Sequence, residues 1–290
     1  MPRFHVIIPA RYQSQRLPGK PLLDVGGKTM IERVVECARR SGAKSVAVAT
    51  DDARIERAVR AFGAVAVMTS PRHACGADRI AEATDALRLD ADEIVVNLQG
   101  DEPQMPPALI DQFAALLARD RDAAIATAMA PLDAAQWHDP SVVKVVVNGD
   151  GDALYFSRAP IPWSPDRDDD DDNGDDSRRG FSDRQGAQRV NEGAYENTQP
   201  KEPGGATRPS GKNTSEARRH LGIYAYRCGY LRRFAARGAC ALEARERLEQ
   251  LRALWHGDRI VCADAVEVPA AGIDTPADLE RVRAEIVGGG

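Results

Sequence analysis

Apolar residues in the first part of the chain fall into two spacings, and the spacing predicts the elements. Short aliphatic runs without polar alternation, at residues 4 to 8, 45 to 50, 65 to 68 and 93 to 98, read as strands buried on both faces. Between them, Met30, Ile31, Val34, Val35 and Ala38 recur at helical spacing over residues 29 to 41, with Gly42 as a stop. Residues 51 to 61 form a second helix with an aspartate at its start, and 73 to 83, HACGADRIAEA, are a small-residue turn entering a third. A fourth helix covers 107 to 118. Strands alternating with helices predict an α/β fold built on a parallel sheet with right-handed crossovers.

Past residue 120 the alternation ends. Residues 124 to 129, 142 to 147 and 154 to 157 are strand-like, and Asn148-Gly149-Asp150-Gly151 between the last two is a hairpin turn, so the sheet gains an antiparallel extension. RHLGIYAYR, residues 219 to 227, reads as a strand followed by a helix. His220 and Tyr224, four apart, share a face of that strand. Residues 241 to 255 read as one amphipathic helix with Leu248, Leu251 and Leu254 as its core stripe. A strand ending at Val268 follows, then a helix opened by Asp274-Thr275-Pro276.

Residues 164 to 217 break the pattern. They hold five consecutive aspartates at 168 to 172, many Gly, Ser and Asn, and hardly any aliphatic side chains. Such a stretch buries too little apolar area to offset its ordering entropy, so it is expected to be a disordered acidic insert within one 290-residue domain. It carries 13 of the 44 acids and 8 of the 39 bases, which accounts for the whole net charge of −5. The rest is neutral, with no basic excess of the kind that binds nucleic acid. No apolar run is long enough to span a bilayer, and five cysteines without a C-x-x-C pair argue against a disulfide framework or a zinc site. The expectation is a soluble protein of a reducing cytoplasm.

The first loop carries the chemistry. Leaving a buried parallel strand, the chain emerges at the carboxyl edge of the sheet, where open α/β folds bind ligands. There Arg11, Arg16 and Lys20 occur with no acid before Asp24, and Gly19 allows close approach of the backbone, a pocket for a polyanion. Gly27-Lys28-Thr29 spells the end of a P-loop, but the first glycine of that motif should stand at 22, which is Leu22, so Lys28 belongs to the start of the following helix. The fourth strand delivers QGDEP, residues 99 to 103, to the same edge. An aspartate in such a place ordinarily caps the next turn, and Asp274 or Thr275 before a first-turn proline ordinarily caps a helix.

The string R-x-x-S-x-R-L-P-G-K-P of this loop resembles the signature of sugar-activating nucleotidyltransferases, in particular the 3-deoxy-manno-octulosonate (Kdo) cytidylyltransferase family. QGDEP, HLGIY, LEQLR and G-x-D-T-P-x-D-L-E extend the resemblance over the whole chain except the insert. It implies a Rossmann-like nucleotidyltransferase fold with a mixed, mostly parallel sheet flanked by helices, whose antiparallel extension serves sugar binding and dimerisation. The implied reaction transfers CMP from CTP to Kdo, releasing pyrophosphate, for lipopolysaccharide biosynthesis. Asp101 and Asp274 are then Mg²⁺ ligands, and Arg11, Arg16 and Lys20 grip the phosphates, with Lys20 also catalytic. Gly76 and Arg79 lie at the nucleotide, and Gln99, Arg158, His220, Tyr224, Glu249 and Gln250 at the acidic sugar, with His220 and Arg158 suited to its charge.

The family's turn at 75 to 79 usually reads Ser-Gly-Thr, an acid and Arg. Here Cys75 and Ala77 replace both hydroxyls, which predicts weaker nucleotide binding. The alternatives are a relative activating another acidic sugar, 8-amino-Kdo or a sialic-type acid, or a nucleotide-sugar binder without catalysis, against which the retained carboxylate pair counts. The insert holds no expected strand, helix or site residue. Deleting about residues 166 to 214 should therefore leave the thermal transition and turnover in place, and loss of either in calorimetry or assay would show that the segment orders against the core.

Overall fold

The computed structural model describes residues 2–13, 16–163 and 217–288. The chain divides into two units, Met1–Ile161 with Thr214–Gly290, and Pro162–Asn213. Almost all of the second, and with it all of the expected disorder at 164 to 217 except Ala217, lies outside the described residues.

β1 (Phe4–Ala10) is buried along nearly its whole length and lies parallel to β2 (Ser45–Thr50) and β4 (Ile94–Asn97), with β3 (Val65–Met68) beyond β2. The helices between them are α1 (Met30–Arg39), α2 (Ala53–Ala61) and α3 (Gly76–Ala86), followed after β4 by α4 (Pro107–Arg119). Thr29 Oγ1 accepts from Glu32 N–H at the start of α1, and the Asp52 carboxylate accepts from Arg54 N–H at the start of α2, so two predicted starts are true side-chain caps.

The second part runs β5 (Ile125–Pro131), α5 (Ala134–Trp137), β6 (Lys144–Val147), β7 (Ala153–Ser157), β8 (Arg218–Arg227), α6 (Cys228–Ala236), α7 (Ala241–Glu246), α8 (Leu251–Trp255), β9 (Ile260–Asp264) and α9 (Pro276–Gly288). All the strands belong to one nine-stranded sheet, whose main order is β3-β2-β1-β4-β8-β5-β9. In that order β8 runs antiparallel to both neighbours while β5 and β9 are parallel, giving the expected mixed sheet with a mostly parallel path. β6 and β7 form the antiparallel extension and attach through β6 to β8. Its turn is held by the Asn148 side chain, which accepts from the N–H groups of Asp150 and Asp152.

Strand alternation sorts the core. Val6, Ile8, Val96 and Ala126 pack with α1, α2 and α4 on one face, and Ile7, Val95, Tyr224 and Tyr226 with α3, α6 and α8 on the other. A third, smaller cluster joins Leu17, Val25 and Met30 to Ile273, Leu279 and Val282, fastening the first loop to the last helix.

Two expectations are corrected. The helix over 241 to 255 is broken: Arg247 stands in the left-handed region at φ 56° between α7 and α8. The buried Arg252 of α8 pairs with Glu243 of α7 at 2.6 Å across that break and also donates to the carbonyls of Phe234 and Arg237. The strand expected to end at Val268 stops at Asp264. Val266 N–H is donated to the Gln112 side chain instead of a neighbouring strand, and Val266 and Val268 are exposed.

Ile273 is fully buried in the small third cluster. Ile273→Ala should cost about 2–5 kcal/mol by chemical denaturation. A cost under about 0.5 kcal/mol would mean that the loop and α9 are not held together by this packing.

Candidate active site

The loop after β1 is shaped by Tyr12. Gly19, at φ 71°, donates its N–H to the Tyr12 carbonyl at 3.0 Å, and a Cβ there would meet the Tyr12 ring at 3.2 Å. Only glycine combines that φ with that closeness at no cost. The Arg54 guanidinium covers the same ring, 3.3 Å from its centroid. The chain then makes a single 3-10 turn, Lys20–Leu22, and the Lys20 side chain reaches inward.

Lys20 Nζ donates to Asp101 Oδ2 at 2.8 Å and to Asp274 Oδ1 at 2.9 Å. Burial alone would lower the Lys20 pKa, but the two carboxylates outweigh it and hold the ammonium above the ordinary lysine value. Arg16 lies 3.8 Å from Asp274 and is largely exposed, so it is free to turn toward a ligand.

The backbone brings these acids together. A Cβ on Gly100 would stand 2.9 Å from the Pro9 carbonyl, so the segment after β4 lies hard against the end of β1. Ile273 N–H donates to the Asp101 carbonyl at 3.0 Å, tying the two acidic segments to each other. At α9 the capping is done by others: Thr275 Oγ1 accepts from Asp278 N–H, while the Asp278 carboxylate accepts from the N–H groups of Asp274 and Thr275. The Asp274 carboxylate is thereby left to Lys20 and Arg16.

Beside this cluster opens a cavity of about 760 Å³. Of the predicted residues it takes Gly76, Gln99, Arg158, His220, Tyr224, Glu249 and Gln250 into its wall. Glu102, also in the wall, is next to the acids; burial, then Asp101 and Asp274, push its pKa up to about 8 against the pull of Lys20, so it is mostly protonated at neutral pH. The break at Arg247 turns Gln250 into the wall, where its buried Nε2 has no partner; Arg219 Nε, in another wall residue, is also buried without one. Leaving such a group unpaired costs about 1–3 kcal/mol, so each would gain from an acceptor placed in the cavity.

Other predicted residues are differently employed. Arg79 is fully buried and donates to Thr69 Oγ1 at 2.6 Å and Asp51 at 2.7 Å, bracing the ends of β2 and β3 rather than facing a nucleotide. Arg11 donates to the carbonyls of His73 and Cys75, so it fixes the turn before α3 as well as facing the loop. Ala77 is wholly buried and donates its N–H to the Glu249 carboxylate, and the Cys75 sulfur accepts from Arg252 at 3.6 Å. Of the two positions that lack the usual hydroxyl, Ala77 is therefore in the core, while Cys75 lies in the cavity wall. Desolvation lowers the pKa of the half-buried His220, to about 3, which favours a neutral ring over a charged partner for an acid. Arg158 donates to the carbonyls of Glu246 and Pro140, which sets its place in the wall. Lys28 pairs with Glu36 on α1, in agreement with its role at the helix start.

Sequence reasoning passed over Arg219 and Glu102. Alternation assigns Arg219 to the face opposite His220, yet the cavity takes four consecutive residues of β8, Arg219, His220, Leu221 and Gly222. Glu102 carried no signal apart from Asp101. Among the described residues no group of three or more His, Cys, Asp or Glu is gathered as a metal cage. Two carboxylates meeting on one cation fit instead an ion that takes its remaining ligands from phosphate and water, which is the habit of Mg²⁺. No helix among the described residues is long and apolar enough to cross a membrane, and all five cysteines are free.

A cationic loop and a carboxylate pair at the carboxyl edge of a mostly parallel sheet, opening on a polar cavity, are the parts of a nucleotidyl-transfer enzyme. A family model described as cytidylyltransferase matches residues 5–260. The chain is 47% identical over 281 residues to a 3-deoxy-manno-octulosonate cytidylyltransferase of Pseudomonas syringae pv. tomato, covering 97% of this chain and 96% of the relative. To that of Hahella chejuensis it is 48% identical, covering 98% of each. Among solved structures it resembles a CMP:2-keto-3-deoxy-manno-octonic acid synthetase complexed with CTP, with a TM-score of 0.78 and 37% identity over 99% of both chains. A cytidylyltransferase from Leptospira borgpetersenii, at TM-score 0.56 and 14% identity over 99% of this chain and 88% of the other, shares the fold. The chain belongs to the cytidylyltransferase family, on the branch of the 3-deoxy-manno-octulosonate enzymes.

Lys20→Ala should cut turnover by orders of magnitude and Lys28→Ala by no more than about twofold, because only Lys20 touches both acids. Equal losses in steady-state pyrophosphate release would return the Gly27-Lys28-Thr29 motif to consideration.

Proposed function

We propose that the protein joins CMP from CTP to the anomeric hydroxyl of Kdo, giving CMP-Kdo and pyrophosphate for lipopolysaccharide biosynthesis. The reading is carried by the convergence of Lys20 on Asp101 and Asp274 beside a cavity walled by Gln99, Arg158, His220, Tyr224, Glu249 and Gln250. The hydroxyl oxygen attacks the α-phosphorus in line, its bond to phosphorus forms as the bond to the bridging oxygen breaks, and pyrophosphate leaves. Charge grows on the phosphate oxygens, so catalysis is positioning plus electrostatics. Arg16 and Lys20 face the triphosphate and the leaving group, and the sugar sits in the cavity with its carboxylate toward Arg158 and Arg219.

Asp101 and Asp274 would hold Mg²⁺. Bound there, the ion supplies charge neutralisation at phosphate and acidifies the attacking hydroxyl, so no separate protein base is required. Lys20 must then share its two carboxylates with the incoming cation and swing toward phosphate, a motion its flexible stem permits.

The working form is a homodimer in the cytoplasm. Among the described residues β7 pairs with β6 alone, apart from a bridge between Asp152, just before it, and Val261 of β9, and Leu154 on it and Trp255 at the end of the neighbouring α8 are both more than half exposed. Five free cysteines, four of them buried, suit a reducing compartment.

Pyrophosphate release should be seen with CTP and Kdo, be abolished by EDTA and return with Mg²⁺. Asp101→Asn and Asp274→Asn should each lower it by orders of magnitude with the thermal transition intact. Preference for another nucleotide, or for another acidic sugar in a panel that includes 8-amino-Kdo and a sialic acid, would replace this assignment.

A further inference from the structure

The pairing of β8 with β5 is interrupted beside the cavity. Thr127 stands opposite Tyr224, but the next residue, Ala128, stands opposite Leu221, so Gly222 and Ile223 are extra on β8. Such a bulge re-aims side chains and frees backbone groups. Because two residues are inserted, His220 and Tyr224 still share a face, with ring centroids 5.2 Å apart. The Ile223 carbonyl accepts from Thr127 Oγ1 at 2.7 Å.

Thr127 is fully buried, and its hydroxyl has one hydrogen. A carbonyl can only accept, so that hydrogen goes to Ile223. His220 Nε2 lies 2.9 Å from the same oxygen and must therefore be the donor to it. Desolvation of this half-buried ring favours its neutral form, and a neutral imidazole protonated at Nε2 has a bare Nδ1. That Nδ1 makes no hydrogen bond among the described residues, and His220 belongs to the cavity wall. Phe156, edge-on at 5.0 Å between centroids, and Tyr224 hold the ring in place.

We propose that Thr127 is a positioning residue: it locks His220 as the Nε2–H tautomer, so that Nδ1 accepts a hydrogen bond from a hydroxyl of the acceptor sugar. The proposal rests on the cavity being the sugar site. It makes His220 a reader of a hydroxyl and leaves the sugar carboxylate to arginines of the wall.

The test is heteronuclear NMR on the full protein labelled with ¹⁵N-histidine, the His220 signals being assigned by their loss in His220→Gln. The wild type should show the Nε2–H pattern, and saturating Kdo should move the Nδ1 resonance while the proton stays on Nε2. Thr127→Ser should keep this pattern, and Thr127→Val, of nearly the same shape, should lose the single tautomer. In kinetics Thr127→Val should raise KM for Kdo roughly three- to tenfold, with KM for CTP and turnover at saturation within about twofold. An Nδ1–H pattern in the wild type, an Nδ1 resonance unmoved by saturating Kdo, or a Thr127→Val protein with the same tautomer and KM would each overturn the proposal. The wild-type spectrum decides even if the valine variant does not fold. Absence of turnover with Kdo in the wild type would instead sink the substrate reading, leaving the tautomer measurable on its own.

Discussion

The active site depends on one small packing event. Lys20 and Asp274 are 254 residues apart in sequence, and the loop and helix that carry them meet because Leu17, Val25 and Met30 bury against Ile273, Leu279 and Val282. Neither segment is part of the sheet. Closing a connection of that length costs chain entropy that no single ion pair repays, since a partly exposed salt bridge contributes about 0–1 kcal/mol. The apolar contact supplies the cohesion, and the ammonium then settles the repulsion between two acids that the cohesion has brought side by side.

The same site is built against local stability. Burial, and then the nearness of Asp101 and Asp274, push Glu102 up to about 8, and Gln250 and Arg219 keep buried donors without partners. Each would be relieved by a more apolar wall. Arg252, by contrast, is held between Glu243 and Asp78, while Arg79, which braces Asp51 and Thr69, keeps an unpartnered Nε of its own.

How much could be read beforehand follows from how local the signal is. Strands β1 to β4 and helices α1 to α4 rest on periodicity and caps within a dozen residues, and they were legible. The anion loop and both acids were legible as candidates, but their ordinary capping roles could be set aside only when Thr275 and Asp278 were seen to do the capping at α9. The broken helix at Arg247 was not legible, because LEARERLEQLRALW is a sound amphipathic pattern whose continuity is overruled by a tertiary pairing of Glu243 with Arg252. Arg79 misled for the same reason: a motif match cannot tell an arginine that meets substrate from one that braces Asp51 and Thr69.

The bulge in β8 carries the last step. An uninterrupted ladder would have spent the Ile223 carbonyl on a backbone N–H and left the Thr127 hydroxyl free to donate to the imidazole. Then His220 would have had its proton on the cavity side and would have offered a donor. By diverting one carbonyl, the bulge decides which atom of a half-buried neutral histidine is presented, and so which kind of group the cavity can read there. Specificity for a polyhydroxylated acid is in this way set three residues from the contact itself, in the backbone of the strand that bears it.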